Sequence, residues 1–267
     1  MRLRPIAGIL LRQLYLFRSS PVRLLPTFAW VAIDIVVWGF LTRYLNAVAG
    51  NHLNFVPSLL GAVLFWDFFT RIMQGVTTAF LEDVWSRNFL NIFATPLSIP
   101  EYVGGLMLSS IASGVIGLSV MLVLATAVFG LSFFVYGILL IPYLLVLFVF
   151  GIALGVIGCG IVLRLGPASE WLIWPIPALI SPLAGVFYPL STLPAWMRGL
   201  ARVLPPSYVF ESMRGIVLKR AGSPVSLLWA AALDIAFLLL ASWFFSYIYH
   251  HAVRTGLIAR YSAESLS

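Results

Sequence analysis

From Val103 to Leu163 the chain carries no Asp, Glu, Lys, Arg or His. As a single helix that run would measure about 90 Å at ~1.5 Å per residue, three times a hydrocarbon core of about 30 Å. It must therefore lie in a membrane and fold back on itself, and Gly130-Leu131-Ser132 is the natural turn. The remaining composition agrees. Apolar residues make up 61% of the 267 and charged residues 9%, whereas a soluble domain carries roughly a quarter charged.

Hydropathy divides the chain into six spans, at about 26–48, 57–80, 102–129, 133–163, 170–189 and 225–249. Pro57 opens the second as a first-turn residue. The fifth carries Pro175, Pro177, Pro182 and Pro189, which remove backbone donors and forbid a regular helix. A broken helix at membrane depth survives only when packed in protein or lining a cavity. Between the fifth and sixth spans, Leu193, Trp196, Met197, Leu200, Val203 and Leu204 recur at helical spacing between Pro194 and Pro205. This stretch reads as a pair of short re-entrant or interface-bound helices, the whole segment covering 181–220. Residues 3–20 read as a helix lying at the interface, with Arg2, Arg4, Arg12, Arg18 and Arg23 reaching headgroups. A signal peptide is disfavoured because Arg12 interrupts the apolar stretch and no small-x-small site follows.

Net charge is +7, and the basic residues flank apolar spans, which points to anionic lipid and topology and not to nucleic acid. The basic residues of the N-terminal segment weigh most in setting orientation, placing both termini on the cytoplasmic side. Cys159 is the one cysteine, so no intrachain disulfide or cysteine metal cluster forms, and it reads as a small buried side chain. His52, His250 and His251 stand at span edges, without metal-ligand spacing.

Charges inside spans are costly and mark candidate functional positions: Asp34, Asp67, Arg71 and Asp234. Asp67 and Arg71 are one helical turn apart and can neutralise each other. Gly151, Gly155 and Gly158 form a small-residue stripe that lets a neighbouring helix approach closely. Phe65, Trp66, Phe68 and Phe69 form one aromatic cluster, and Trp171 and Trp174 another, as an interfacial belt would supply. No catalytic residues and no phosphate-binding loop are present, since the only lysine, Lys219, is followed by Arg220. An energy source, if ATP, must be another polypeptide.

Between the second and third spans, Leu81, Val84, Trp85, Phe89, Ile92 and Phe93 fall on one helical face, with Glu82, Asp83, Ser86, Arg87 and Asn91 largely opposite. A short amphipathic helix over 82–96, stopped by Thr95-Pro96, is either a solvated connector or a docking element. On the docking reading, Glu82, Asp83 and Arg87 face the partner while Val84, Phe89 and Ile92 anchor the helix, and Asp83 can pair with Arg87 at i, i+4.

Three stretches resemble the permeases of type 2 ABC exporters, the class of drug, nodulation-factor and polysaccharide exporters. They are FLEDVWSRNFLNIFATPLS (Phe80–Ser98), SPLAGVFYPL (Ser181–Leu190) and LPAWMRGLARVLPPSYVFESMRG (Leu193–Gly215). The resemblance runs the whole length and implies an all-α integral membrane fold: an interface helix, six transmembrane helices, a cytoplasmic coupling helix and a re-entrant extracytoplasmic segment. It implies a bacterial inner-membrane exporter subunit acting on an amphipathic substrate, paired with a second copy of itself and two copies of an ATPase. That partner would hold the ATP and magnesium; this chain would hold no cofactor and bind lipid but no nucleic acid. It assigns Glu82, Arg87, Thr95 and Pro96 to coupling, and Pro194, Trp196, Pro205, Tyr208 and Arg214 to an extracytoplasmic gate. The LNIFATPLS stretch leans toward the drug and lipo-oligosaccharide branch. Likeness to the polysaccharide members, whose conduits are lined by aromatic rings that stack on sugars, implies that role for the 65–69 and Trp171/Trp174 clusters as an alternative to the interfacial belt. The rival reading is a self-contained proton-coupled transporter or channel using Asp34, Asp67 and Asp234.

Overall fold

The computed structural model describes residues 3–19, 25–49, 56–86, 91–92, 95–218 and 224–256, and all regular structure among them is helical. In chain order the helices are α1 (Leu3–Ser19), α2 (Leu25–Ala49), α3 (Gly61–Trp85), α4 (Ile99–Phe129), α5 (Leu140–Leu165), α6 (Ile176–Ala184), α7 (Ala195–Ala201), α8 (Pro205–Val217) and α9 (Pro224–Thr255). A π-helical turn, Val56–Leu60, leads into α3, and a 3-10 segment, Phe133–Leu139, leads into α5. Among the described residues, four helical stretches are long and apolar enough to cross a membrane: Val56–Trp85, Ile99–Phe129, Phe133–Leu165 and Val225–Thr255. These coincide with the second, third, fourth and sixth expected spans. α2 covers the first.

The uncharged run turns where the sequence places the turn. Gly130 caps α4 at φ 67°, and its N–H reaches back to the Thr126 carbonyl at 3.0 Å. A side chain there would be strained in the left-handed region, so glycine ends the helix without cost. At the other end of α4, the Glu101 carboxylate accepts the Ser98 N–H at 3.1 Å, and Pro100 occupies the first turn.

The stretch expected as the fifth span is broken, as its prolines require. A single turn, Glu170–Ile173, is followed by α6, which opens at Pro175 and stops at Gly185 with φ 62°. The Tyr188 hydroxyl donates to the Pro182 carbonyl at 2.9 Å, folding the chain back beneath the helix end. α7 and α8 then supply the expected pair of short helices, with Pro194 as the N-cap of the first and Pro205 in the first turn of the second.

Lipid tails are as apolar as leucine, so helices in a bilayer associate through close packing and not through hydrophobic exclusion from water. The glycine stripe of α5 supplies that packing, and its partner is α3. A Cβ on Gly151 would lie 3.1 Å from the Phe69 carbonyl, one on Gly155 2.8 Å from the Met73 carbonyl, and one on Gly158 2.9 Å from Thr77 Oγ1. The backbones touch, and the Thr77 hydroxyl bridges them by donating to the Gly155 carbonyl at 3.2 Å. α4 covers another side of α3, where Ser110 donates to the Ile72 carbonyl at 2.8 Å. α9 packs on α5 and α1 on α4, with Ile9 filling the space over Gly105. The Phe65–Phe69 cluster goes into this core and not onto a conduit wall: Phe65, Phe68 and Phe69 are buried, and Phe69 stacks on Phe150 at 5.5 Å.

The bundle has two distinct ends. At one, α1, the end of α3 and the start of α4 meet. At the other, the Tyr136 hydroxyl donates to the Pro57 carbonyl, Arg43 donates to the Val128 carbonyl at 2.7 Å, and α8 packs against the segments leading into α3 and α5.

The glycine contact predicts a stability difference between two substitutions. Gly155→Leu should lower the apparent melting temperature of the purified protein, through overpacking worth about 1–3 kcal/mol or more. Gly199→Ala, where a Cβ meets nothing within 4 Å, should leave it unchanged. Fluorescence-detected size exclusion after a temperature series reads both.

Candidate functional site

α3 does not stop where the second span was expected to. It runs on through Trp85, and the Ser86 N–H closes it on the Glu82 carbonyl at 3.0 Å. Residues 82–85 are therefore a rigid extension of the helix that forms the core, not the first turn of a separate helix over 82–96. This places Asp83 on the same face as Val76 and Phe80, which are fully buried. Asp83 was expected on the partner-facing side and is instead turned inward with no exposed surface. Its carboxylate accepts the Arg12 guanidinium from α1 and the Tyr102 hydroxyl from α4, the latter at 2.8 Å. Arg12 is accordingly an internal tether and not a headgroup contact. One acid holds three helices.

Glu82 is half-buried on the adjacent face, and Val84 is buried as an anchor, as its spacing implied. Arg87 and Phe89 lie outside the described residues. Thr95 and Pro96 form an exposed turn in which the Thr95 hydroxyl and N–H both donate to the Ile92 carbonyl, at 2.5 and 3.2 Å.

At the opposite end, the residues proposed for a gate divide by role. Arg214 donates to the carbonyls of Gly185 and Val186 at 2.7 and 3.3 Å and pairs with Glu211 at 2.9 Å. Glu211 in turn accepts the Leu190 N–H at 3.3 Å. These two side chains of α8 clasp the turn that follows α6. The Tyr208 hydroxyl donates to the Arg202 carbonyl at 2.8 Å and closes the α7–α8 corner. Pro194 and Pro205 set the starts of the two helices. Trp196 makes no such bond among the described residues and is 67% exposed, as Leu200 and Val203 are also exposed.

Three of the four intramembrane charges converge. Arg71 pairs with Asp67 at 2.6 Å, and Asp34 on α2 lies within electrostatic reach of that pair. Asp234 stands apart on α9, buried, with one carboxylate oxygen lacking a hydrogen-bond partner among the described residues.

The structure adds a feature that sequence reading missed. Arg71, Gln74, Gly75, Thr78 and Glu82 form a polar stripe on α3, and it faces Ser109, Ser110 and Ser113 on α4 and Gln13 on α1. Together with Trp174 these residues line a partly open cleft of about 230 Å³. The stripe was legible as steps of three and four residues in an otherwise apolar span. The α1 and α4 walls were not, because serines in a long apolar run carry no periodic signal.

Among curated proteins, none matches the chain. The family model for the ABC-2 type transporter matches residues 12–218. That interval begins within α1 and ends just past α8, and it holds the Asp83 tether, the polar cleft and the Arg214 clasp. It spans well over half of the sequence, and the chain therefore belongs to the ABC-2 type transporter family as a multi-pass permease component.

Proposed function

We propose that the protein is the transmembrane subunit of an exporter that moves an amphipathic substrate out across a bacterial inner membrane, driven by a separate ATPase. The observation that carries this reading is the three-helix tether at Asp83, at the end of the bundle opposite the Arg214 clasp. A helix that packs the core and extends rigidly to one end can carry a push delivered there. Glu82, Thr95 and Pro96 stand at that end, and Arg87 and Phe89 fall between them in sequence. They form the docking surface for the ATPase, which supplies ATP and magnesium. α2 is the first of six spans, and the broken 170–189 segment is the fifth. The 181–220 segment is re-entrant from the outer face, where Arg214, Tyr208 and the prolines hold it as the gate. Two copies of the chain, each with one ATPase, enclose the path between them, and both termini are cytoplasmic.

The proton-coupled alternative is weakened by the pairing of Asp67 with Arg71, since an acid held by a cation at 2.6 Å gives up its role as a free proton carrier. Co-reconstitution with the cognate ATPase decides between them. ATP-driven export from vesicles supports the proposal, whereas export by this chain alone on a proton gradient overturns it.

Two substitutions at the coupling end should behave differently. Replacing Glu82 and Arg87 together with Ala should abolish ATPase stimulation while the fold loses little, within ~0.5 kcal/mol for surface positions. Asp83→Ala strands Arg12 beside apolar surface and removes the Tyr102 acceptor. It should cost about 3 kcal/mol, the lower end for a broken buried pair because Arg12 is partly exposed. Thermal melts run beside ATPase assays separate a docking defect from a folding one. At the other end, Arg214→Gln should raise hydrogen exchange over residues 185–190 by about tenfold or more, as charge-assisted bonds to two carbonyls are lost, while exchange in α3 and α5 stays unchanged.

A further inference from the structure

Of the buried polar groups in the molecule, Gln13 is the one whose situation calls for a ligand. It is 3% exposed, and its side-chain nitrogen has no hydrogen-bond partner among the described residues. A buried amide nitrogen without a partner is costly, yet this one lies in the wall of the polar cleft between α1, α3 and α4. Besides Arg71 and Glu82, the polar groups of the lining are uncharged. Ser109, Ser110 and Ser113 spend their protons on the carbonyls of Gly105, Ile72 and Ser110 and turn acceptor oxygens to the cleft. Gln74 brings an amide that both donates and accepts, Thr78 a hydroxyl, and Trp174, 44% exposed, an aromatic face.

The charges at the cleft argue against an anionic occupant. Arg71 is already answered by Asp67, and Glu82 brings a negative charge to the other end. A phosphate would find no uncompensated cation. A hydroxyl-rich, uncharged group would find mixed donors and acceptors and an indole to stack on. The volume of about 230 Å³ lies below the ~300–1,000 Å³ of pockets that enclose drug-sized ligands, so it fits a single sugar-sized group. Along α4 the face that carries Ser109 and Ser113 continues through Ile116, Val120 and Val123, of which Ile116 and Val123 are exposed. A polar seat that runs into an exposed aliphatic track matches a headgroup followed by acyl chains.

We infer that this cleft binds the uncharged, hydroxyl-rich headgroup of a membrane lipid, with Gln13 supplying a donor that no described residue uses. The site is a property of the single chain and does not rest on the transport reading. The test uses the purified full-length protein in phosphatidylcholine nanodiscs doped with monoglucosyl-diacylglycerol, and native mass spectrometry reads the lipid retained. The wild-type protein should retain the glucolipid in preference to phosphatidylglycerol, and free glucose should not displace it. Gln13→Leu should lower retention by about threefold to tenfold with a melting temperature equal to or above wild type, because it removes an unsatisfied buried amide. Ser113→Ala, which only deletes a hydroxyl from a half-buried site, should lower retention in the same direction. Equal retention of phosphatidylglycerol overturns the uncharged headgroup, and displacement by free glucose overturns the lipid. Unchanged retention in both variants overturns the site.

Discussion

Backbone contact between α3 and α5 is the constraint on which the other elements depend. Three glycines bring the two helices so close that carbonyls of α3 occupy the space where side chains of α5 would be. With α5 on one side and α4 on another, α3 becomes the axis of the bundle, and its faces acquire separate duties. One face is buried apolar surface from Phe65 to Val84. An adjacent face keeps polar groups from Arg71 to Glu82. The end of the helix carries an acid that gathers α1 and α4. Each of these depends on α3 having a fixed rotation about its own axis, and the glycine contact fixes that rotation.

Much of this was legible in the sequence, for physical reasons that can be named. An uncharged run too long for one crossing required a turn, and Gly130 was the residue able to make it. The prolines of the 170–189 stretch forbade one continuous helix, and the chain breaks at Trp174–Pro175, while Pro182 is carried inside the short α6 that ends at Gly185. The i, i+4 spacing of Asp67 and Arg71 made their pairing local and therefore predictable. The family likeness read from three stretches agrees with the family model, which spans all three of them.

What the sequence hid was tertiary. Asp83 looked like one of several charges on the polar side of a short amphipathic helix. That reading assumed the helix began at 82. Once α3 continues to Trp85, the phase of the longer helix governs, and the same residue turns inward to meet Arg12, 71 positions away. No local pattern reports an ion pair across that separation. The aromatic cluster was ambiguous for a similar reason: which face of α3 carries the rings is set by packing, and Phe65, Phe68 and Phe69 fall on the buried face. The Gln13 amide lies in the wall of a cleft built by three helices distant in sequence, so nothing near Gln13 announces it.

The contrast between α3 and the 170–204 segment sets where motion can occur. α3 holds 25 residues without a proline, about 37 Å of continuous helix at ~1.5 Å per residue. The 170–204 segment is cut at Pro175, Gly185, Pro189 and Pro194 into pieces too short to be stiff over that distance. Its pieces are held by hydrogen bonds from Arg214, Glu211 and Tyr208, which can break and re-form, whereas the α3–α5 contact is steric and cannot yield gradually. In the proposed cycle a displacement delivered to the end of α3 is therefore passed on with little loss by the rigid element and absorbed by the jointed one. On the proposed reading, replaceable bonds at the Arg214 end and irreplaceable packing along the axis confine the conformational change to the end of the molecule where the substrate would leave.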